Sequence, residues 1–591
     1  MTEALNFLPL QSLSQPEFIP MTRKDIDSLG WKEIDILLVT GDAYVDHPSF
    51  GAAIIGRVLI VAGYRVGLIS QPNWRDKEAL TIMGRPRLAC AITSGNLDSM
   101  LNIYTPARRL RKDDDYSPGG KPGLRPPMAL QVYSNLAKAA FPGLPVILGG
   151  IEASMRRIAH YDYWKDKILP SILLTSKADI LIYGMGERAV LKTVEAVKAK
   201  KELKNIQGSA ILLGEKQSKE FLASKLTDYT ELPSFENIAL NKQDFMDSHL
   251  IAEKESNPYC GKGLFQKYDK RIVVIEKPEL PLSTEEMDAV YELPFANKPH
   301  PFYKEKIPAF EMIKNSITAV RGCPGGCSFC GLGLHQGKFV AQRSKNSILK
   351  SIRKLTELST FRGTVSDIGG PTANVYGNSV RSMDKCKKCR RPSCLWPDIC
   401  LNYIVDDHAL SDILKQAANI EKVKHLFISS GIRLDLAEKQ PETMRKIIHN
   451  HTSGHFKIAP EHLDDEVLKL MRKSKSDYFY EFIDKFRKET QSAGKEQYLV
   501  PYFISNFPGC NQEHMKKLDA FLIKSHWAPQ QVQDFTPLPM TIASAMYYCE
   551  TDTDRKPITV NKGLKYRREQ LLVLKRKMPY SSKSKICRRS H

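Results

Sequence analysis

The chain has 591 residues, of which 42% are hydrophobic and 26% charged, and it carries a net charge of +21. That length exceeds what one hydrophobic core supports, so two or three domains are expected, and the ordinary composition excludes wholesale disorder. The positive balance favours anionic partners, which admits nucleic acid or an acidic protein.

From the amino terminus, MTEALNFLPLQSLSQPEF lacks a basic stretch followed by an apolar core, so no secretory signal is readable. The longest apolar run, FGAAIIGRVLIVAGYRVGLI, carries Arg57 and Arg65 and is interrupted by Gly56 and Gly63, which argues against a membrane span. The expectation is a cytoplasmic protein without a membrane partner. There the twelve cysteines stay reduced, and the seven between 323 and 400 point to metal rather than to disulfides.

IDILLVT (34–40) reads as a strand and SFGAAIIGRVLIVAGY as the helix after it. RVGLISQ, LACAITSG, PVILGGIEAS and ADILIYGMGE continue the alternation. Strands that end in Gly or Ser before helices describe a doubly wound, Rossmann-like α/β domain over 1–215, whose ligand crevice lies at the strands' carboxyl ends. From 216 to 310 the text is Pro-rich and weakly periodic, with one clear strand at RIVVIEKP, and reads as a connector. Alternation resumes in 311–560 with strands at SITAVRG, GTVSDIGG, HLFISSG, HFKIAP, QYLVPYFISN and QVQDFTPLP. Six βα-like units suit a parallel partial barrel with its functional groups on the loops after the strands. Residues 561–591 form a basic tail: from Lys562 onward eleven Lys/Arg face the single Glu569.

Cys323, Cys327 and Cys330 stand in C-x3-C-x2-C spacing directly after the first strand of the second unit. A structural zinc site takes four protein ligands, whereas a [4Fe-4S] cluster held by three thiolates leaves one iron open. Gly322, Gly325, Gly326, Gly331 and Gly333 let the backbone approach inorganic sulfide and offer N–H donors to an anionic cluster. Arg321, His335 and Lys338 stand near enough in sequence to moderate its charge.

This spacing, with an aromatic residue before the last cysteine, resembles the radical S-adenosylmethionine (radical SAM) superfamily. GDAYVDHPSFG, GGIEASMRRIAHYDYW, RGCPGGCSFCGLGLHQGK and SDIGGPTANVYG resemble more narrowly the YgiQ-type radical SAM proteins, from about residue 6 to 550. The resemblance implies an enzyme in which S-adenosylmethionine binds the open iron and is cleaved reductively to a 5′-deoxyadenosyl radical. A reductant of the flavodoxin or ferredoxin type would serve as electron donor. It also implies cofactor contacts at later strand ends: Gly369, Gly370, Pro371 and Thr372 after the second, Ser430 and Arg433 after the third, and Glu461 after the fourth. Pro371 stands where the superfamily usually has a glutamate for the methionyl amine, so a backbone carbonyl or Thr372 would accept that hydrogen bond. Cys510, at the end of the fifth strand, is a candidate hydrogen donor.

CKKCRRPSCLWPDIC places Cys386, Cys389, Cys394 and Cys400 in an insertion, 381–402, after the second strand. Four thiolates close a tetrahedral site, so a structural zinc or an auxiliary iron–sulfur cluster is expected. The amino-terminal domain is similar to the cobalamin-binding domains fused to several radical SAM enzymes. Its ligand motif is altered: Asp46 and His47 are adjacent and Gly51 follows four residues later, instead of Asp-x-His-x-x-Gly. A domain without cobalamin is therefore expected. GGIEASMRRIAHYDYW reads either as a salt-bridged helix cap or as a site where Arg156 and Arg157 recognise a phosphate or carboxylate. Two other classes fit parts of the chain: a non-enzymatic, metal-stapled nucleic-acid-binding protein, and an iron–sulfur electron carrier.

Overall fold

The five apolar segments that lead the chain are parallel strands in the computed structural model, which describes residues 15–575. They are β1 (Ile36–Thr40), β2 (Val66–Ser70), β3 (Ala89–Thr93), β4 (Val146–Gly149) and β5 (Ile180–Ile182), hydrogen-bonded in the order β2-β1-β3-β4-β5. In register, Leu38 of β1 lies between Leu68 and Ala91. Every residue of β1 is buried, which explains its unbroken apolar run: a parallel strand is covered on both faces.

The helix Gly51–Val61 packs on this sheet. A Cβ at Gly56 would lie 2.2 Å from Ile19 Cδ1 and 3.1 Å from Leu38 Cδ1, so glycine lets these side chains pack close to the helix. Arg57 is buried within the helix and is neutralised by Asp46 at 2.5 Å, with the Pro16 and Glu17 carbonyls taking further N–H bonds. The charge that argues against a membrane span is thus an internal tie of this helix, paired where it is buried.

The stretch 216–310, expected to be a connector, instead contributes three strands to the sheet. With β6 (Ser209–Leu213), the strands β7 (Tyr229–Leu232), β8 (Gly263–Tyr268) and β9 (Arg271–Ile275) extend it to nine strands in the order β7-β8-β9-β6-β5-β4-β3-β1-β2. Only β9 announces itself in sequence. β7 and β8 owe their place to aromatic packing of Phe221 on Tyr229 and Phe265, a contact between distant positions that no local period encodes.

Residues up to 314, with 334–337, make up this first unit; 315–333 and 338 onward make up the second. In the second unit, β10 (Ser316–Thr318) pairs in parallel with β11 (Asp367–Gly369). Thr364–Val365, just before β11, pairs with β12 (His425–Leu426), and a parallel bridge between Ile432 and Ile458 reaches β13 (His455–Glu461). β13 pairs with β14 (Tyr498–Ser505), and β14 with β15 (Gln531–Asp534). Strands adjacent in space follow one another in sequence with helices between them, so the unit is a partial (βα)6 barrel, as expected. The helix Lys345–Glu357 shows the local logic: Ser344 caps it, and Ile348, Leu349, Ile352 and Leu355 form its buried stripe.

The expected basic tail begins with a docked helix, Leu564–Leu574. Arg567 pairs with Asp534 at 2.9 Å, and Gln570 bonds Asn506 N–H and the Cys510 carbonyl. Residues 576–591, which carry the rest of the basic stretch, lie outside the described residues. Among the described residues no helix is long and apolar enough to cross a membrane.

Candidate metal centre

The three-cysteine loop leaves the carboxyl end of β10, where Val320–Arg321 pairs with Ala341–Gln342 and closes its two ends together. Gly322 and Gly326 hold positive φ (83° and 59°), which turns the chain directly before Cys323 and before Cys327. Ser328 anchors the far side by donating to the Leu470 carbonyl from its hydroxyl and to the Met471 carbonyl from its N–H.

Around the sulfurs, the N–H of Gly325 points to Cys323, and those of Leu332 and Gly333 to Cys330. Burial raises the Cys323 thiol and pushes that of Cys330 up to about 12, with the neighbouring cysteines adding to the rise. Such thiols keep their protons until a metal takes the thiolate. Backbone N–H donors at Cys323 and Cys330, in a loop with a third cysteine, fit an anionic iron–sulfur cluster.

Arg433 completes this wall. Its Nε and Nη2 hold Asp435 at 3.1 and 2.5 Å, and Nη1 lies 3.5 Å from the Cys327 sulfur. Burial opposes its charge, but Asp435 and the Cys327 and Cys323 sulfurs outweigh that and keep the guanidinium protonated. A Cβ on Gly325 would sit 2.4 Å from Nη1, so this close fit demands glycine. The fork that the resemblance assigned to a cofactor oxygen is therefore engaged by Asp435.

The other strand-end residues are knitted together. Ser430 donates its hydroxyl to Asp367, whose other oxygen accepts the N–H groups of Ser429 and Ser430 at 2.8 and 3.1 Å. Gly369 leaves room for this, since a Cβ there would lie 2.6 Å from Ser430 Oγ. At Gly370 a Cβ would meet the Val320 carbonyl oxygen at 2.5 Å. Beyond Pro371, Thr372 donates to the Gly431 carbonyl at 2.9 Å, and Asn374 exchanges bonds with the Arg433 backbone. Glu461, at φ 66°, faces Lys473 Nζ at 3.7 Å; burial raises its pKa while Lys473 and Arg433 oppose the rise. Sequence reasoning missed Asp367, Asp435 and Lys473, although Asp367 carried a readable signal as an acid within a strand.

Cys510 lies in the interior, 3.6 Å from His462 Nε2, with its thiol pushed by burial up to about 12. The second cysteine group lies over the first loop: the Cys394 N–H donates to the Pro324 carbonyl at 2.9 Å, and Asn402 Nδ2 donates to Cys386 Sγ at 3.1 Å.

In the amino-terminal unit the order of strands reverses between β1 and β3. Asp42 and Arg125, buried and 2.7 Å apart, lie there, and Arg125 also bonds the Ser94 carbonyl. His47 is buried, its Nδ1 accepts the Ser49 N–H, and burial lowers its pKa to about 3. Arg156 and Arg157 are buried: Arg156 pairs with Asp98 at 2.8 Å, and Arg157 bonds the Ser154 carbonyl and lies over the Tyr183 ring.

A family model described as Radical SAM N-terminal matches residues 18–316, and one described as Radical SAM superfamily matches 317–522. A UPF0313 protein of Geobacter sulfurreducens is 42% identical over 561 residues, covering 94% of this chain and 92% of that protein. One from Methanocella arvoryzae is 43% identical over 569 residues, covering 95% and 93%. Among solved structures, the radical S-adenosylmethionine methyltransferase TsrM from Kitasatospora setae, with cobalamin and a [4Fe-4S] cluster bound, superposes with a TM-score of 0.51. That match covers 87% of this chain and 78% of TsrM at 12% identity, a likeness of fold.

Proposed function

Because this chain belongs to the radical SAM superfamily, among its YgiQ-type UPF0313 proteins, we propose that Cys323, Cys327 and Cys330 hold a [4Fe-4S] cluster with one iron left to S-adenosylmethionine. The protein is a radical SAM enzyme: when bound, the cluster and S-adenosylmethionine supply reductive cleavage to a 5′-deoxyadenosyl radical. The observation that carries the ligand reading is the set of backbone donors and the Arg433 guanidinium converging on the three sulfurs.

The chain's own residues then position and insulate. Arg433, fixed by Asp435, balances thiolate charge at Cys327. Glu461 and Lys473, opposite charges 3.7 Å apart, suit the ammonium and carboxylate of an amino-acid end, in place of the glutamate that Pro371 replaces. Asp367 holds Ser430 beside Gly369, and with its hydroxyl proton given to Asp367 the Ser430 Oγ is left to accept from a ribose hydroxyl. A flavodoxin- or ferredoxin-type partner supplies the electron. The two rival readings, nucleic-acid binder and electron carrier, draw no support from either family match.

For cobalamin the amino-terminal residues do not fit histidine ligation. In an Asp–His relay the carboxylate orients the ligating imidazole. Here Asp46 bonds Arg57, the Tyr44 hydroxyl and the Ala296 N–H instead. We read this unit as an α/β domain that works without cobalt, which elemental analysis of purified protein checks.

The enzymatic reading is tested by incubating reduced, anaerobically purified protein with S-adenosylmethionine. Release of 5′-deoxyadenosine by the wild type and not by Cys327→Ala is expected; equal release by both would overturn the ligand assignment.

A further inference from the structure

We propose that Cys386, Cys389, Cys394 and Cys400 form a second metal centre, a zinc ion or an iron–sulfur cluster, whose loading fixes the loop that carries Cys323 and Cys327. The second half of this rests on the reading of Cys323, Cys327 and Cys330 as cluster ligands.

The first reason is that the insertion has no core of its own. Across 381–402 only Ser393 and Leu395 are buried, and Leu401 is 92% exposed. Its regular structure is one short helix, Met383–Lys387, between the paired strands Ser379–Val380 and Tyr403–Ile404. Ordering some twenty residues carries a backbone entropy cost that so little apolar burial does not offset. Thiolate coordination is what orders such segments elsewhere.

Backbone turns link the cysteines in pairs: the Cys389 N–H donates to the Cys386 carbonyl and the Cys400 N–H to the Cys394 carbonyl. Lys338 supplies compensating charge beside them, its Nζ donating to the Cys389 and Arg391 carbonyls at 3.3 and 2.7 Å. Four thiolates on Zn²⁺ or on a [4Fe-4S]²⁺ core leave the same excess of negative charge, which a lysine and the flanking basic residues offset.

The coupling is direct. Ser393 Oγ lies 3.2 and 2.7 Å from the carbonyls of Pro324 and Gly325, and the neighbouring Cys394 N–H donates to Pro324. At Gly326 a Cβ would meet the Pro392 carbonyl oxygen at 2.5 Å. The residues between Cys323 and Cys327 are therefore clasped by the segment that ends in a ligand of the second centre. A metal that pins Cys394 pins this clasp.

The test counts zinc and iron per chain in full-length protein produced anaerobically. Cys389→Ser/Cys400→Ser should lose either one zinc or about four irons, which tells the two metals apart, and iron at the first site should then fall at least twofold. Zinc and iron equal to the wild type would overturn the second centre. Ser393→Ala, which spares every cysteine, should keep both metals yet release first-site iron to a chelator several-fold faster; an unchanged rate would overturn the coupling. Because Ser393→Ala keeps the full ligand set, it remains informative if the double cysteine variant fails to fold. Cys323→Ala/Cys327→Ala should retain the second metal alone. If it retains first-site iron too, the reading of the first site fails while the second centre stands.

Discussion

Arg433 sets Nη1 3.5 Å from the Cys327 sulfur while Asp435 grips the other side of the same guanidinium at 2.5 Å. A rigid cation thus faces the metal loop, and its removal leaves two anionic groups facing one another. Arg433→Met should cost about 3–5 kcal/mol in denaturant unfolding, because Asp435 is left buried without a partner. Arg433→Met/Asp435→Leu should recover most of that loss while still shifting the reduction potential of the reconstituted cluster to more negative values, since the stabilising charge beside it is gone.

Asp367 accepts from Ser429 N–H, Ser430 N–H and the Ser430 hydroxyl. Asp367→Ala leaves these donors without their acceptor, a loss of about 1–3 kcal/mol in thermal or chemical unfolding. Affinity for S-adenosylmethionine in equilibrium dialysis should fall roughly tenfold, equivalent to about 1.4 kcal/mol. Unchanged affinity would remove Ser430 from the cofactor contacts.

Two glycines of the second unit make opposite predictions. Gly370→Ala forces a Cβ to 2.5 Å from the Val320 carbonyl oxygen, at about 1–3 kcal/mol. Gly333→Ala meets nothing within 4 Å and should change stability by less than about 0.5 kcal/mol. Melting temperatures of the two variants decide whether the glycines near this site act by close approach or merely by composition.

Acid should loosen the amino-terminal unit. Burial lowers His47 and His160 to about 3 and His249 to about 4, from an ordinary 6.5, so each is neutral when folded and takes a proton on unfolding. Their contribution is complete above pH 6.5 and is lost as pH falls toward those folded values, with a slope of up to about 1.4 kcal/mol per pH unit for each. Urea unfolding between pH 7 and 4.5 should show the decline, and His249→Gln should make it shallower. A flat profile would mean that water reaches these rings.

Much of the first sheet is legible because its parallel strands are apolar nearly throughout, as IDILLVT and ADILIYGMGE are for β1 and β5. The barrel strands, such as HFKIAP and QVQDFTPLP, alternate instead and are legible from their recurrence between helical stretches. β7 and β8 were not legible, since Tyr229 and Phe265 become strand residues through a shared contact with Phe221. At the site, cysteine spacing is a local property and was readable. The partnership of Arg433 with Asp435, or of Ser393 with Pro324 and Gly325, depends on which loops the barrel brings together. Arg156 and Arg157 admit two readings in sequence, a salt-bridged cap or a ligand contact, and only the fold shows Arg156 paired with Asp98 and Arg157 over the Tyr183 ring.

Electron paramagnetic resonance of the reduced, anaerobically reconstituted full-length protein, recorded before and after S-adenosylmethionine is added, addresses the open iron beside Cys323, Cys327 and Cys330. A [4Fe-4S]⁺ signal that changes its g values on addition, and that is missing from Cys330→Ala, is the expected result. An intact cluster signal that does not move when the nucleoside binds, or that survives in Cys330→Ala, would contradict it.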